Sequence, residues 1–414
     1  MDIANVKYWK HPSKTNCVFV EEIESSLVSI DFWLKAGISF EEKNKAGVAH
    51  FLEHMVFKGS KLLEPGEFDL KVETLGGICN ASTGYDDVHY YLDIPPSNLE
   101  EGLSLLTNLV LFPNLDEKEF DLEKKVVIEE ILESQDQKDE LIFNSFLKSV
   151  WLDHPYANSI LGKEENINEL KLTDLKDFHN KYYIPSNSCI AFAGKLPKNH
   201  LEIFKNCELS EFTDKLIDST QILIDNKTIR KDKEIAFFKD IEFSRIFMAW
   251  HIPSSKNQKY ILGYEIISSI LTNGRNSLLN KFLKEDMQIV ESIYSGIQHG
   301  ELGSLFIIES SLERENLKKV EEIINDLLQS LLTVSNLNQK IEKAIRIVKS
   351  NYIFNLETSS QMAYFYGNNL LWGRLNPQIE LNNNFKYWEN TENIKSLTKF
   401  LLEDKFTFIA QNKL

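Results

Sequence analysis

The stretch Ala46-Gly-Val-Ala-His-Phe-Leu-Glu-His-Met-Val-Phe-Lys-Gly59 is the most informative part of this 414-residue chain. In a helix, His50 and His54 stand four residues apart on one face, and Glu53 lies beside them. Neutral imidazoles are good zinc ligands, and a carboxylate outside the ligand set can take a proton from a zinc-bound water. The H-x-x-E-H spacing therefore indicates a zinc site with its own base. Such a string also arises by chance, so the spacing alone leaves a structural role open.

The length and composition favour a soluble globular protein of two domains. A chain of 414 residues exceeds one ordinary domain. Its hydrophobic fraction of 43% and charged fraction of 26% are typical of globular proteins, and no apolar run approaches the length of a membrane span. The first ten residues lack the apolar segment of a secretory signal, so we expect a cytoplasmic protein without membrane attachment. The four cysteines are scattered, which favours separate reduced thiols.

The charge balance excludes one class of partner. Lysine and arginine total 46 against 62 acidic residues, which gives a formal net charge of −16. A surface this acidic is unsuited to the phosphate backbone, so no nucleic-acid partner is expected. The acidity would favour basic substrates if it lined a binding site. A solvated acidic surface explains the same composition.

The periodicity of the first half predicts alternating strands and helices. Residues 27–34 form a strand ahead of the motif helix, for which Asn44 is a plausible cap. Small residues and glycines mark 76–84 as an edge strand on which another extended chain can lie, with its hairpin partner at 87–94. Further predictions are helices over 99–111, from Asp116 to about Ser149, and over 172–185, and a strand over 188–194.

The second half repeats this order of elements. It predicts strands at 245–250, 291–295 and 304–309, and helices at 260–271, 317–332 and 337–355. Even the segment 115–118 has a counterpart in 337–340. We therefore predict a duplicated α+β domain, with domains at 1–205 and 233–414 and a polar linker at 206–232. The counterpart of the motif helix contains no histidine, so only the first copy can bind zinc.

A catalytic zinc site needs a third protein ligand, and the long predicted helix offers two acidic candidates. Glu123 and Glu130 are seven residues apart and share a helix face. Taken alone, two acidic residues at this spacing more often form an exposed face of a helix.

The sequence resembles the pitrilysin/insulinase family of zinc peptidases, the inverzincins. Their signature is H-x-x-E-H followed by a glutamate 76 residues after the second histidine, and Glu130 lies at that distance from His54. The similarity covers nearly the whole chain and is closest to half-length bacterial members and processing-peptidase subunits. Other matching segments are Phe57-Lys-Gly59, Gly76-Gly77, Asn80-Ala81, Tyr90-Tyr91, His154-Pro155, Ile160-Leu-Gly162 and Tyr183-Ile-Pro-Ser-Asn187.

The resemblance implies a fold and a set of site roles. The expected fold is α+β, with two homologous domains that each pack a mostly antiparallel sheet with helices. His50, His54 and Glu130 are implied as ligands of one Zn²⁺ per chain. Glu53 is implied as the general base, and Glu123 supports the site from behind the ligands.

The predicted edge strand is implied as the part of the site that holds the substrate. Cys79, Asn80 and Ala81 would bind an extended peptide by β-addition, through main-chain hydrogen bonds that read few side chains. Broad specificity for unfolded peptides follows from this mode of binding.

One departure from the family pattern concerns the second domain. Family members that complete their own active centre carry there an arginine and, seven residues later, a tyrosine. This chain has Lys284 and Glu291 at those positions, and Tyr294 lies three residues out of register. The departure implies a heterodimer in which a zinc-free homologous subunit supplies both groups, although a homodimer stays open.

These sequence features are compatible with two functions. The first is a zinc-dependent endopeptidase that hydrolyses unfolded peptides within an enclosed chamber. The second is a zinc-binding but catalytically weak structural or regulatory subunit of a heterodimer. The intact H-x-x-E-H with Glu130 favours the peptidase, since non-catalytic relatives usually lose ligands.

Overall fold

The computed structural model describes residues 5–211, 230–403 and 405–413, which form two compact units. Within the described chain, unit 1 comprises residues 5–136, 158–211 and 354–377. Unit 2 comprises the remaining described residues, 137–157, 230–353 and 378–413 apart from 404. The domain boundaries expected from the sequence, 1–205 and 233–414, remain a prediction. Most of the predicted linker, residues 212–229 of 206–232, lies outside the described residues.

The regular elements alternate much as the sequence indicates. The strands are β1 (Asn5–Lys10), β2 (Asn16–Glu21), β3 (Val28–Leu34), β4 (Ile78–Thr83), β5 (Val88–Ile94), β6 (Ser188–Gly194), β7 (Lys233–Phe238), β8 (Ser244–Ile252), β9 (Ser292–Gln298), β10 (Ser304–Leu312) and β11 (Phe406–Asn412). The helices are α1 (Val48–Val56), α2 (Glu67–Thr74), α3 (Leu99–Leu111), α4 (Glu117–Asp136), α5 (Lys138–Trp151), α6 (Glu164–Glu169), α7 (Leu172–Tyr182), α8 (His200–Asn206), α9 (Gln258–Thr272), α10 (Leu317–Ser330), α11 (Leu337–Phe354), α12 (Ser359–Leu371), α13 (Pro377–Trp388) and α14 (Thr391–Phe400).

The sheets of the two units share one topology. The sheet of unit 1 has the order β1-β2-β6-β3-β5-β4, and that of unit 2 has the order β7-β11-β8-β10-β9. The pairs β2–β6 and β7–β11 are parallel, whereas every other pair in the two sheets is antiparallel. Apart from β1, each strand of unit 1 has a counterpart in unit 2. The predicted duplicated α+β fold is confirmed.

Strand β3 is buried along its whole length because helices cover both faces of the unit 1 sheet. Phe32 and its neighbours on one face pack in the core that also contains α1 and α3. On the opposite face, Trp33 packs with Ala191 of β6 and with Ala363 and Tyr366 of α12. This double coverage explains why β3 carries large apolar residues on both faces, Phe32 on one and Trp33 on the other, although Ser29 and Asp31 on the Trp33 face are polar.

Each unit contains one helix from the other half of the sequence. Helix α5 precedes most of unit 2 in the chain, yet its Phe146 stacks on Phe247 of β8 with ring centroids 4.7 Å apart. Helix α12 follows most of unit 2, yet it covers β3 and β6 in unit 1. The two halves of the chain therefore exchange a helix.

Two details predicted from the sequence are wrong. The single helix expected from Asp116 to Ser149 is two helices, α4 and α5, separated at Gln137, because α4 belongs to unit 1 and α5 to unit 2. Asn44 does not cap the motif helix, because it lies in a separate 3₁₀ turn. The Glu41 carboxylate accepts hydrogen bonds from the first backbone N–H groups of α1 instead.

No helix in the described ranges combines the length and the apolar character that crossing a bilayer requires.

Candidate metal centre

Helices α1 and α4 of unit 1 bring three predicted ligands to one point. One ligand atom each from His50, His54 and Glu130 lies within 4.8 Å of the other two. The Nε2 atom of His50 is 3.8 Å from Oε1 of Glu130, and Nε2 of His54 is 3.4 Å from Oε2. Among the residues that the structure describes, no other group of three histidine, cysteine or acidic side chains converges in this way.

The donor set fits zinc. Two imidazole nitrogens and one carboxylate oxygen are a common ligand set of catalytic zinc, which retains a further position for water. Burial, together with the neighbouring His54, lowers the pKa of His50 to about 4. His50 is therefore neutral at physiological pH, as a metal ligand must be.

Glu123 lies behind His54 rather than in the group of three. Its Oε1 accepts a hydrogen bond from Nδ1 of His54 over 2.9 Å, which leaves Nε2 of His54 facing Glu130. Burial acts to raise the pKa of Glu123, but its bonds to His54 and Lys58 outweigh that effect and lower it. The buried side chain is thus an ionised carboxylate that orients a histidine.

Glu53 points to the same region but is not a member of the group of three. Its Oε2 accepts a hydrogen bond of 2.5 Å from Oγ1 of Thr83, the last residue of β4. Burial raises the pKa of Glu53, and the Thr83 bond acts in the opposite direction. A carboxyl group with a raised pKa is suited to general acid–base chemistry.

Cys79, Asn80 and Ala81 lie on β4, which is one of the two edge strands of the unit 1 sheet, and an edge position was predicted for this strand. On one side β4 pairs with β5, and on the other it has no strand among the described residues. Because Thr83 ends the same strand, the open edge leads directly to Glu53. The predicted substrate-binding residues therefore lie on the same strand as Thr83, whose hydroxyl group contacts the predicted base.

The corresponding place in unit 2 holds a different pair. Tyr352 of α11 donates a hydrogen bond of 3.0 Å to Glu265 of α9, and burial raises the pKa of Glu265 to about 7. When residues 115–118 are aligned with residues 337–340, Tyr352 is the counterpart of Glu130, because each lies 15 residues after the leucine that begins its segment. A phenol and a carboxyl group bonded to each other replace the metal-binding set here.

The two positions that depart from the family pattern contact each other. Lys284 lies in a π-helical segment, Asn280–Asp286, and its Nζ donates to the backbone oxygen of Glu291 over 2.7 Å. Tyr294 lies on β9, one of the two edge strands of the unit 2 sheet, with 64% of its surface exposed. None of the three reproduces the arginine and tyrosine pair.

The sequence predictions missed Lys58 and Thr83. Lys58 follows His54 by four residues, a spacing that could have drawn attention to it, but lysines are common after helices. The sequence around Thr83 gives no indication of its role, because the contact with Glu53 depends on how β4 is placed against α1.

Comparison with known proteins agrees with this geometry. Residues 17–164 match the family model described as insulinase, peptidase family M16, and residues 169–346 match the model described as the peptidase M16 inactive domain. The chain belongs to the insulinase family, M16. The region that matches the first model includes every residue of the candidate metal centre, and the region that matches the second includes the histidine-free helix α9.

Relatives of this M16 chain are named as zinc proteases. It is 27% identical over 364 residues to the zinc protease PqqE of Helicobacter pylori, covering 84% of this chain and 80% of the relative. It is 24% identical over 387 residues to the uncharacterized zinc protease YmxG of Bacillus subtilis, covering 92% and 91%. The crystal structure of a protease from Helicobacter pylori has the same fold, with a TM-score of 0.87 at 23% identity over 99% of this chain and all of that one.

Proposed function

We propose that this M16 chain is a zinc-dependent endopeptidase that hydrolyses peptide bonds in unfolded peptides within an enclosed chamber. The observation that carries the proposal is the convergence of His50, His54 and Glu130 within 4.8 Å, with the Glu53 carboxyl group beside them. A purely structural cluster would have no need of a buried carboxyl group with a raised pKa next to the neutral imidazole of His50.

Each residue of the centre has its own role in the proposed reaction. His50, His54 and Glu130 hold one Zn²⁺, and Glu123 fixes the ring of His54. Bound zinc supplies Lewis acidity, which activates water and polarises the scissile carbonyl group. Glu53 takes the proton of the attacking water on its carboxylate and then delivers it to the leaving amine. Thr83 holds one carboxylate oxygen of Glu53, so the other is left for this transfer.

The open edge of β4 defines the class of substrate. An extended peptide that pairs with Cys79, Asn80 and Ala81 uses main-chain hydrogen bonds, which are available only in an unfolded segment. Such pairing reads few side chains, so it supports many sequences. The nearby Thr83–Glu53 contact supports placing the scissile bond close to the end of this strand.

The second domain supports dependence on a partner. Lys284 donates a hydrogen bond to the backbone oxygen of Glu291, and the carboxylate side chain of Glu291 has no proton to donate, so the two residues do not reproduce the pair of donors in the family pattern. We therefore include in the proposal a heterodimer with a zinc-free homologous subunit that supplies the missing arginine and tyrosine. The same observation favours the second candidate, a zinc-binding subunit with little activity of its own.

Replacing Glu53 by Gln tests the proposal. The amide cannot accept a proton, whereas the three ligands stay in place, so the variant should bind zinc normally and lose turnover of an unstructured fluorogenic peptide. The assay includes the unaltered chain, alone and with the product of a neighbouring homologous gene. A variant that loses its zinc would make Glu53 a ligand, and a variant that keeps its turnover would remove Glu53 as the base.

A further inference from the structure

The two histidines of the candidate metal centre are held unequally. Nδ1 of His50 is buried, and no described residue hydrogen-bonds to it. Nδ1 of His54, in contrast, bonds to Glu123 over 2.9 Å. A ring that is fixed by a carboxylate presents its other nitrogen to a metal in one orientation, whereas a ring without such a partner depends on packing alone. The orientation of the ligand set therefore depends strongly on Glu123.

Glu123 is in turn held by Lys58. The Nζ atom of Lys58 lies 2.7 Å from Oε2 of Glu123, on the oxygen that does not bond to His54. Both carboxylate oxygens are thus occupied, and the carboxylate plane is fixed. Lys58 lies two residues after the end of α1, so this helix supplies the ligand His54 and the segment that follows it supplies the residue that holds Glu123.

Burial makes this contact more than a surface ion pair. The side chain of Glu123 is 8% exposed and that of Lys58 is 34% exposed. Exposed ion pairs contribute little, but a charged hydrogen bond to a largely buried carboxylate is short and directional. Among the contacts described, His54 bonds to one oxygen of Glu123 and Lys58 bonds to the other. Without Lys58, the second oxygen of this buried carboxylate would lose its cationic donor.

We infer that Lys58 is a positioning residue of the metal centre, which holds Glu123 so that Glu123 can orient His54 toward Zn²⁺. The inference rests on the zinc site proposed above and adds to it a residue without any contact to the metal. Its effect on zinc affinity has a sign that distinguishes it from simple electrostatics. Removal of a positive charge near a cation site strengthens cation binding by Coulomb's law, whereas loss of a positioning residue weakens it.

The test is the zinc dissociation constant of the purified full chain, measured by competition with a chromophoric chelator. Lys58→Met keeps the aliphatic stem but lacks the charged donor, and it should weaken zinc binding about tenfold. Lys58→Arg should stay close to the unaltered chain, since it retains a donor. The matched control is Lys61→Met, because Lys61 is 59% exposed and pairs with Glu211, away from the centre. Its zinc affinity should not change.

A double variant shows whether Lys58 acts through Glu123. In a Glu123→Gln background, Lys58→Met should cause no further loss of zinc affinity. Unchanged or tighter zinc binding by Lys58→Met, or an equal loss in the Glu123→Gln background, would overturn the inference. Failure of the unaltered chain to bind zinc would instead overturn the proposed function. Circular dichroism of the zinc-free variants separates both results from misfolding, and if Lys58→Met misfolds, Lys58→Gln replaces it.

Discussion

The hydroxyl group of Thr83, at the end of an open edge strand, donates a 2.5 Å hydrogen bond to the carboxylate of Glu53 on α1. This bond connects the strand proposed to hold the substrate with the residue proposed as the base. A peptide that pairs with β4 would therefore be placed relative to Glu53 by a direct contact.

Thr83→Val should lower kcat about tenfold and leave KM within about twofold, because it removes the bond that orients Glu53 without changing the pairing edge. A positioned general base contributes about 10²–10⁴-fold, of which orientation is one part. Thr83→Ser, which retains the hydroxyl group, should stay near the original kcat. The measurement is steady-state hydrolysis of an unstructured peptide by the assembly that gives full activity. Equal losses in the Val and Ser variants would contradict a role in orienting Glu53.

His50→Ala, His54→Ala and Glu130→Gln should each reduce bound zinc from about one per chain to a small fraction. Each change leaves two of the three converging ligands. Metal content after gel filtration measures this directly. Glu129→Gln is the matched control, since Glu129 is an exposed neighbour on α4 and should keep its zinc. If His54→Ala kept its full zinc content, His54 would not be a ligand, and Glu123 would have no role in orienting one.

The stability of the chain should fall in mild acid because of His179. Burial lowers the pKa of His179 to about 4, although its bond to the Val110 carbonyl acts in the opposite direction. The unfolded chain, with a pKa of about 6.5, binds the proton more readily, so this contribution is fully present above pH 6.5 and is lost as the pH falls toward 4.

From pH 7 to pH 5 the expected loss of unfolding free energy from His179 is about 2 kcal/mol. Urea titrations of zinc-free protein at both pH values measure the total loss. His179→Gln retains a donor for Val110 but does not titrate. Its unfolding free energy should therefore fall by about 2 kcal/mol less than that of the unaltered chain over the same pH range. An identical pH dependence in the two proteins would show that His179 already titrates normally in the folded state.

Gly367→Ala should destabilise the chain even though alanine is the better helix former. A Cβ atom at this position of α12 would lie 2.4 Å from Nε1 of the buried Trp33. The expected gain in helix propensity of about 1 kcal/mol is smaller than the usual 1–3 kcal/mol cost of overpacking. Thermal unfolding should therefore show a lower Tm. The effect should shrink in a Trp33→Phe background, which removes Nε1, the nearest obstructing atom.

The chain alone should show weak or no peptidase activity, and a zinc-free homologue should raise it. Lys284 bonds to the backbone oxygen of Glu291, at the two positions where the family pattern described above implies an arginine and a tyrosine. Loss of groups that orient and stabilise a developing oxyanion costs about 10²-fold or more in rate. Peptide hydrolysis with and without the candidate partner measures the difference. A homodimer that works at full rate, unchanged by the homologue, would contradict this expectation.

The sequence predicted the elements of the fold well where the information is local. The strand at 188–194 and the helix at 99–111 lie where the pattern placed them. The break at Gln137 was missed because its neighbours include neither glycine nor proline, and the reason for the break lies in the packing of the units. The 3.6-residue period alone was enough to align His50 with His54.

The remainder of the candidate site required information that periodicity does not contain. Glu130 was selected by family resemblance, since its spacing from Glu123 also suits an exposed acidic face. Thr83 could not be found, because its contact with Glu53 depends on the placement of β4 against α1. Lys58 showed a suggestive spacing, but its bond to Glu123 depends on how α4 lies beside the end of α1.

The exchange of α5 and α12 has a consequence for protein synthesis. When a ribosome has made the last strand of the unit 1 sheet, β6, the face that carries Trp33 still lacks α12, which follows more than 160 residues later. Until then, the nascent chain exposes an aromatic surface that the finished protein buries. A fragment that ends before α12 should therefore keep this surface exposed, and we expect it to be a client of chaperones rather than a working zinc domain.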